Sequence, residues 1–281
     1  MPDPDKLLAT IHKAAEYTRN TPGRRGRIVH FSDAIDVFVT GDLHGNLGNF
    51  QRFLQLADLA RHPRRHFVMQ ELIHGPFRYP DGSDKSHQAV DLWSALKCQF
   101  PTRVHFLPGN HEVSQWTNRA IAKGEFDLNA NFLDGVRHAY GRHADLIYAA
   151  YLELFQALPV ALRTPNRVLL SHSLPTANAM DAFAPHAFDA SEHSDADLAP
   201  GGFVYSLVWG RDCSEANVEE YLRRADSDWL ISGHIPCDAG FAVPNDRQII
   251  LDSLGSPASY CLFPATTLLT SAELLNCVKT I

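Results

Sequence analysis

The stretch Asp36–Asn46, DVFVTGDLHGN, carries the first indication of both the fold and a site. Its first half, DVFVT, has the length and the β-branched content of a buried strand. Small and polar residues follow at once, with Asp42 and His44 two positions apart, so that both side chains can face the same side. Gly41 and Gly45 allow the backbone to turn tightly there. The stretch therefore predicts a strand whose carboxyl end presents a carboxylate and an imidazole.

The same pattern recurs along the chain. Five further apolar runs lead into small or polar residues: His66–Met69, Arg103–Pro108, Arg167–Leu170, Trp229–Ile231 and Gln248–Leu251. Between the runs lie three sets of apolar residues at helical spacing: Phe50, Phe53, Leu54 and Ala57; Ala89, Trp93 and Leu96; Tyr148, Tyr151, Leu152 and Phe155. Strands that alternate with helices predict a layered α/β fold. In such folds ligands bind beyond the carboxyl ends of the strands.

Three other segments carry weaker signals. The stretch PFRYPDGSDK at 76–85 and the segment 181–202, which is rich in Ala, Asp, His and Ser, are typical of surface loops. The arginines Arg24, Arg25 and Arg27 form a basic cluster, which we interpret as solvated surface.

Composition excludes several classes of function. The formal charge of the 281 residues is -7, whereas nucleic acids and anionic membranes attract basic surfaces. The five cysteines contain no C-x-x-C pair, which argues against a zinc knuckle or a disulfide framework. The segment Met1–Asn20 lacks the apolar stretch of a signal peptide, and no run has the length of a membrane span. We expect a cytoplasmic protein with no nucleic-acid or membrane partner.

Three more strand ends offer metal ligands. Asn110 follows the run RVHFLP with a neutral oxygen, and His172 and His234 follow two later runs with imidazole nitrogens. Carboxylate, imidazole and amide groups suit Mn, Fe or Zn as ligands. The strand ends therefore predict a metal site.

Four ordered motifs strengthen this prediction: GDLHGN (41–46), GNHE (109–112), SH (171–172) and GHIP (233–236). They resemble the motifs of calcineurin-like metallophosphoesterases, and most closely the branch with the serine/threonine phosphoprotein phosphatases and the symmetrical dinucleoside-tetraphosphate hydrolases. The resemblance runs from about residue 36 to residue 264. It implies one domain over residues 1–281, with two central β-sheets packed as a sandwich and flanked by helices in four layers. Within it, residues 1–33 would be a helical lead-in and residues 115–160 a helical insert over the site.

The resemblance also implies roles for individual residues. Asp42 and His44 would bind a first divalent metal ion, and Asn110, His172 and His234 a second. His111 would be the general acid or would stabilise the transition state, and Arg211, in WGRD (209–212), would grip phosphate oxygens. Two such ions, as Mn, Fe or Zn, would activate a water molecule for in-line attack on phosphorus.

The second family motif, G-D-x-x-D-R-G, is altered to MQELIHG at 69–75. Without a gap, Gln70 takes the position of the aspartate that bridges both metals, whereas a shift of one residue places Glu71 there. We favour Glu71, because a bridge between two dications needs negative charge. Adjacent strand residues face opposite ways, so Glu71 would need a bulge or an early strand end. Asp81 or Asp84 could also fold back into the site.

Two further positions of this motif differ in the alignment without a gap. There, Ile73 replaces the aspartate that orients the catalytic histidine, and His74 replaces a phosphate-binding arginine, so that His74 is a predicted substrate contact.

The function predicted is metal-dependent hydrolysis of phosphomonoesters, with phosphoserine or phosphothreonine in proteins as the substrate. The expected partner is a phosphorylated protein or a small phosphoester substrate. One rival function is hydrolysis of dinucleoside polyphosphates or of another small phosphoanhydride. A second rival is a pseudophosphatase that binds phosphorylated partners without turnover, which the altered second motif keeps open.

Overall fold

A computed structural model of the chain describes residues 3–123, 126–181 and 183–281. Residues 1 and 2 of the predicted lead-in (1–33), residues 124 and 125 of the predicted insert (115–160) and residue 182 of the predicted loop (181–202) lie outside the described residues. That residues 1–281 form one domain with these two parts stays a prediction.

The described residues contain α-helices throughout the chain. They are α1 (Pro4–Arg19), α2 (Leu47–Ala57), α3 (His87–Gln99), α4 (Asn110–Thr117), α5 (Leu128–Tyr140), α6 (Ala144–Ala157), α7 (Ala177–Met180), α8 (Asp195–Leu198), α9 (Phe203–Trp209), α10 (Glu215–Arg224) and α11 (Ser271–Asn276). Short 3-10 helices cover Gly141–His143 and Pro185–Asp189. Among the described residues, no helix is both long and apolar enough to cross a membrane.

The strands form two large mixed sheets and one antiparallel pair. They are β1 (Arg24–Arg25), β2 (Ile28–His30), β3 (Asp36–Asp42), β4 (Arg65–Gln70), β5 (Val104–Leu107), β6 (Ala122–Lys123), β7 (Phe126–Asp127), β8 (Ala161–Arg163), β9 (Val168–Ser171), β10 (Trp229–Ser232), β11 (Phe241–Asn245), β12 (Gln248–Leu251), β13 (Ser259–Pro264) and β14 (Val278–Thr280). The seven-stranded sheet has the order β1-β2-β8-β9-β10-β12-β11, and the five-stranded sheet the order β14-β13-β3-β4-β5.

All six predicted strands are confirmed, as β3, β4, β5, β9, β10 and β12. In the five-stranded sheet β3, β4 and β5 are parallel, and in the seven-stranded sheet β9, β10 and β12 are parallel. Parallel strands end at the same edge of a sheet, so each sheet collects the polar residues that follow its strands at one edge.

Alternation along the strands explains the layers. Val37 and Val39 of β3 pack in one buried cluster with Leu170 of β9 and Ile231 of β10, and this cluster lies between the two sheets. Phe38, which lies between the two valines, belongs to a second cluster with helices α1, α2, α3, α5 and α6. Successive strand residues face opposite sides, so β3 contacts the other sheet on one face and helices on the other. The predicted α/β fold, two sheets flanked by helices, is confirmed.

The two sheets approach each other closely at Gly41. A Cβ atom at this position would lie 2.0 Å from the carbonyl oxygen of Leu251, so no side chain fits between β3 and β12. The backbone N–H of Gly41 donates to Ser253 Oγ at 2.8 Å, and Asp42 forms a parallel bridge with Asp252. The carboxyl ends of the two sets of parallel strands are therefore joined directly beside Asp42.

The segment 181–202 and the arginine cluster differ from the prediction. Phe183 and Phe188 are buried, because their rings pack on each other and on Phe203 of helix α9. Arg27 is also buried and donates to Asp197 Oδ2 at 2.6 Å. The segment is thus held to the body of the protein, and the prediction of a solvated Arg27 is wrong.

Lys97 of helix α3 is a buried amine that should lower stability. Its Nζ donates to Val104 O at 2.9 Å and to Thr21 Oγ1 at 3.2 Å, and its side chain is 1% exposed. Burial, and then the charge of Arg24, lowers the pKa of Lys97 to about 7. In the unfolded chain Lys97 keeps its ordinary, higher pKa. Between the two pKa values the unfolded state therefore binds more protons than the folded state, so the free energy of unfolding rises with pH above 7.

Lys97→Met is therefore expected to increase the free energy of unfolding by about 1 kcal/mol at pH 6. The gain should shrink as the pH rises to 9, because the wild-type amine is then neutral in the folded state. Urea unfolding at the two pH values measures both effects. Lys13→Met, at an exposed position of α1, is the control and should change little. A difference that is the same at both pH values would show that Lys97 stays charged.

Candidate metal centre

The six predicted ligands come together where the two sheets meet. Asp42 ends β3, and Glu71 follows β4 directly. Asn110 begins helix α4, three residues after β5. The seven-stranded sheet supplies His172 after β9 and His234 two residues after β10. His44 lies in the turn between β3 and α2.

His172 lies at the middle of the cluster and is 1% exposed. Its Nδ1 lies 3.4 Å from Asp42 Oδ1, and its Nε2 lies 3.4 Å from Asn110 Oδ1. The same Nε2 lies 3.1 Å from His234 Nδ1 and 3.7 Å from Glu71 Oε1. Side chains from both sheets thus converge on one imidazole.

Backbone contacts fix the position of Asp42. Its Oδ2 accepts the backbone N–H of His234 at 2.7 Å. Its Oδ1 occupies the space that a side chain at position 233 would need, since a Cβ atom on Gly233 would lie 2.2 Å from it. Glycine in the motif GHIP is therefore required by the close approach of the carboxylate.

His44 faces Glu71 with a defined nitrogen. Its Nδ1 lies 2.8 Å from the carbonyl oxygen of Ile73, which can only accept, so Nδ1 carries the hydrogen. The other nitrogen, Nε2, lies 3.3 Å from Glu71 Oε2. A carbonyl that holds Nδ1–H leaves Nε2 free to bind a metal, which is the usual arrangement of metal-binding histidines.

Gln70 and Glu71 point in different directions. Gln70 Nε2 donates to the carbonyl oxygen of Thr40 at 3.0 Å, along the ladder between β3 and β4. The strand ends at Gln70, and Glu71 takes a φ of 37°, which breaks the alternation of the strand. Glu71 Oε1 then accepts the backbone N–H of His111 at 3.0 Å. The early strand end that a role for Glu71 requires is present.

Two groups of side chains offer ligand atoms within 4.8 Å of one another: His44, Glu71 and His111, and Asp42, Glu71 and His172. Glu71 belongs to both groups. Of the two aspartates considered as alternatives, Asp81 lies 2.6 Å from the Nδ1 of His138, and Asp84 accepts the backbone N–H of Ser86. Neither belongs to these groups.

The electrostatics fit bound cations. Burial, and then the negative charges of Asp42 and Glu112, raises the pKa of Glu71 well above its ordinary value. Asp42 Oδ1 and His172 Nδ1 are buried and lie 3.4 Å apart, but neither atom makes a hydrogen bond within the described part of the chain. Buried carboxylates without a counter-charge are unfavourable, and divalent cations would satisfy these donor atoms. The residues present therefore fit the metal ions that the sequence predicts.

Backbone strain concentrates in this cluster. Eight non-glycine residues in the described part of the chain have positive φ, and four of them contact the cluster: His44 (42°), Glu71 (37°), His74 (61°) and His234 (69°). Such conformations cost about 1–3 kcal/mol each and persist where the surroundings impose them, often at functional sites.

Two predicted substrate contacts take different positions. Arg211 is exposed, and its Nε donates to His234 Nε2 at 3.1 Å, which places its guanidinium beside the cluster. His74 is buried, with Nδ1 2.9 Å from His111 Nδ1 and Nε2 2.7 Å from Gln115 Oε1. Both nitrogens of His74 are therefore engaged inside the protein, in contrast to the phosphate contact expected from the sequence.

Comparison with known proteins agrees with this geometry. The family model of the calcineurin-like phosphoesterases matches residues 35–238, which include all six ligand candidates. The chain belongs to this family. A dinuclear metal centre is characteristic of the family.

Similar proteins are named as phosphatases. A probable serine/threonine-protein phosphatase of Encephalitozoon cuniculi is 24% identical over 240 residues, which cover 79% of this chain and 47% of that protein. A homologue of the long form of serine/threonine-protein phosphatase 7 from Arabidopsis thaliana is 28% identical over 141 residues, covering 50% of this chain and 9% of that protein. The chain thus spans less than half the length of these two relatives.

Solved structures share the fold. A protein serine/threonine phosphatase from Saccharomyces cerevisiae superposes with a TM-score of 0.72 at 14% identity, over 100% of this chain and 90% of that one. A cold-active protein-tyrosine phosphatase from Shewanella superposes with a TM-score of 0.61 at 13% identity, over 94% of this chain and 84% of that one.

Two residues of this calcineurin-like phosphoesterase were not predicted from the sequence. Glu112 is fully buried, and its carboxylate accepts three backbone N–H groups, from Gly109, Leu72 and Ile73. It thereby joins the loop after β4 to helix α4. Gln115 lies about one helical turn after Glu112 in α4, and its side-chain oxygen contacts His74. Glu112 carried a signal within the motif GNHE, whereas Gln115 carried none.

Proposed function

We propose that this chain hydrolyses phosphomonoesters with two divalent metal ions, and that phosphoserine and phosphothreonine in proteins are its substrates. The observation that carries the proposal is Glu71, a buried carboxylate that belongs to both groups of ligand atoms. It supports a shifted bridge in place of the aspartate of the second family motif. An intact bridge favours an enzyme over a pseudophosphatase.

Each side chain of the cluster then has a role. As the resemblance implies, Asp42 and His44 would hold one ion and Asn110, His172 and His234 the other, and Glu71 would contribute to both. The ligand-atom distances place Glu71 with His44 in one group and with Asp42 and His172 in the other. When bound, two such ions, as Mn, Fe or Zn, supply an activated water and neutralise charge on the phosphate.

His111 and Arg211 act on the substrate. Burial, and then the neighbouring His44 and His74, lowers the pKa of His111 well below its ordinary value, so the ring is neutral at pH 7. A neutral imidazole can hold or pass a proton at the nitrogen that faces the reacting oxygens. The exposed guanidinium of Arg211 is free to turn from His234 toward two phosphate oxygens at once.

The substrate class rests on similarity. The two relatives above are named serine/threonine-protein phosphatases, and each aligns with only part of its own length. Phosphorylated proteins are therefore the partners that we propose.

Metal analysis combined with turnover tests the proposal. Wild-type protein should bind two metal ions and hydrolyse p-nitrophenyl phosphate with added Mn²⁺, and a chelator should abolish turnover. Asp42→Ala and His172→Ala should lower metal content and turnover together. His111→Ala should keep the metals and slow turnover by roughly 10²–10⁴-fold, the usual contribution of a positioned acid or base.

The other outcomes separate the alternatives. Loss of metal in His111→Ala would make His111 a ligand, as its place in one ligand group allows. Faster cleavage of diadenosine tetraphosphate than of phosphoserine and phosphothreonine peptides would assign the chain to dinucleoside polyphosphates. Metallated protein that binds phosphopeptides tightly without hydrolysis would be a pseudophosphatase.

A further inference from the structure

A chain of hydrogen bonds runs from helix α5 to the imidazole of His111. Gln115 Nε2 donates to the backbone oxygen of Asn129 at 3.3 Å and to the Tyr148 hydroxyl at 2.7 Å. Gln115 Oε1 lies 2.7 Å from His74 Nε2. His74 Nδ1 in turn lies 2.9 Å from His111 Nδ1. Gln115 and His74, the two middle members of this chain, are both buried.

The backbone oxygen of Asn129 sets the direction of every bond in this chain. A carbonyl oxygen can only accept, so the amide group of Gln115 faces it and Gln115 Oε1 faces His74. An amide oxygen also only accepts, so His74 Nε2 carries a hydrogen. A neutral imidazole has one N–H group, which makes His74 Nδ1 an acceptor. His111 must then donate through Nδ1, and its Nε2 is left without a hydrogen.

The surroundings keep His74 neutral and in place. Burial lowers the pKa of His74 to about 3, although the bond to Gln115 acts in the opposite direction. The edge of the ring packs on Phe132, with ring centres 5.8 Å apart, and the backbone N–H of His74 donates to Ser86 Oγ at 2.9 Å. These contacts maintain the positive φ of 61° that turns the ring toward His111.

We propose that His74 and Gln115 are positioning residues, which hold His111 in the tautomer with hydrogen on Nδ1 so that Nε2 is the nitrogen presented to the substrate. They would take the role of the aspartate whose position Ile73 occupies in the alignment without a gap. A neutral ring would then orient His111 in place of a carboxylate. The proposal rests on the proposed function, in which His111 meets the phosphoester. Its direct test is the tautomer itself, which does not depend on turnover.

Nitrogen NMR of the full chain, after chelation and again with Zn²⁺, reads the tautomer. In wild-type protein the His111 ring should show a protonated Nδ1 and an unprotonated Nε2. Gln115→Leu removes the oxygen that fixes His74, and the His111 signals should move toward a mixture of tautomers. Hydrogen on Nε2 of His111 in the wild-type protein would overturn the proposal, whether or not the chain is an enzyme.

Kinetics separate positioning from a general structural role. Gln115→Leu and His74→Leu should each lower kcat by about 10-fold or more, with KM and metal content unchanged, because only proton handling by His111 is impaired. In a His111→Ala background neither change should lower kcat further. A further loss in that background would show that the two residues act on the site as a whole.

Two controls complete the design. Tyr148→Phe removes the other partner of Gln115 but leaves the bond to Asn129. The tautomer of His111 should therefore be unchanged, and kcat should stay within about two-fold of wild type. His74→Gln retains one donor and one acceptor and should recover part of the activity that His74→Leu loses. Because leucine is strained at the positive φ of position 74, Gln115→Leu, within helix α4, tests the proposal where His74→Leu fails to fold.

Discussion

Glu71→Gln is expected to remove bound metal and to lower turnover by about 10³-fold. The change keeps the size of the side chain and the oxygen that accepts the backbone N–H of His111. It removes the only negative charge shared by the two groups of ligand atoms. A loss of about 4 kcal/mol in transition-state stabilisation corresponds to three orders of magnitude in rate. Elemental analysis and p-nitrophenyl phosphate turnover measure the two effects.

The matched control is the neighbouring residue. Gln70→Leu has a similar volume and removes only the bond to Thr40, so it should keep metal and most of the turnover. Without metal, Glu71→Gln should be as stable as wild type or more stable, because it removes a buried carboxylate that is unfavourable there. Metal lost in Gln70→Leu but kept in Glu71→Gln would place the bridge at Gln70.

Glu112→Ala is expected to lower the free energy of unfolding by about 3–5 kcal/mol. The carboxylate accepts backbone N–H groups at 2.8 Å from Gly109, 2.9 Å from Leu72 and 3.1 Å from Ile73. Each buried N–H left without a partner costs about 1–3 kcal/mol, and the loop can recover part of this by shifting. Urea unfolding in chelator measures the loss without any contribution from metal binding.

Glu112→Gln serves as the comparison. It keeps the volume and one acceptor oxygen, but its NH₂ group faces an N–H donor, so the loss should lie between those of wild type and alanine. A change below about 1 kcal/mol for Glu112→Ala would mean that water reaches the three N–H groups and satisfies them.

The sequence was sufficient to locate the candidate ligands that lie at strand ends. Asp42, His172 and His234 each follow a short apolar run that forms a parallel strand, and parallel strands align their carboxyl ends. The strand β13 was missed because its run, SYCLFP, has no polar residues of the site after it. The pattern therefore predicted a layered α/β fold and the polar residues that meet at its strand ends, whereas the packing of two sheets was predicted from the family resemblance.

Irregular backbone explains what the sequence could not resolve. The choice between Gln70 and Glu71 depends on one φ angle, which no residue pattern specifies. The role of His74 depends on the same turn and on Gln115, which lies 41 positions away in the sequence. Arg27 was misjudged for a similar reason, since its partner Asp197 is 170 positions away.

The two sheets contribute to the cluster from opposite sides, with Asp42, Glu71 and Asn110 on one and His172 and His234 on the other. For the proposed metal centre, the alignment of the two sheets therefore matters to function. A cavity between the sheets, far from any ligand, would let one sheet slide on the other and would change ligand distances that a metal tolerates only within tenths of an ångström. The apolar packing between the two sheets thus sets the distances within the cluster. Substitutions that disturb this packing should lower activity more than they lower stability.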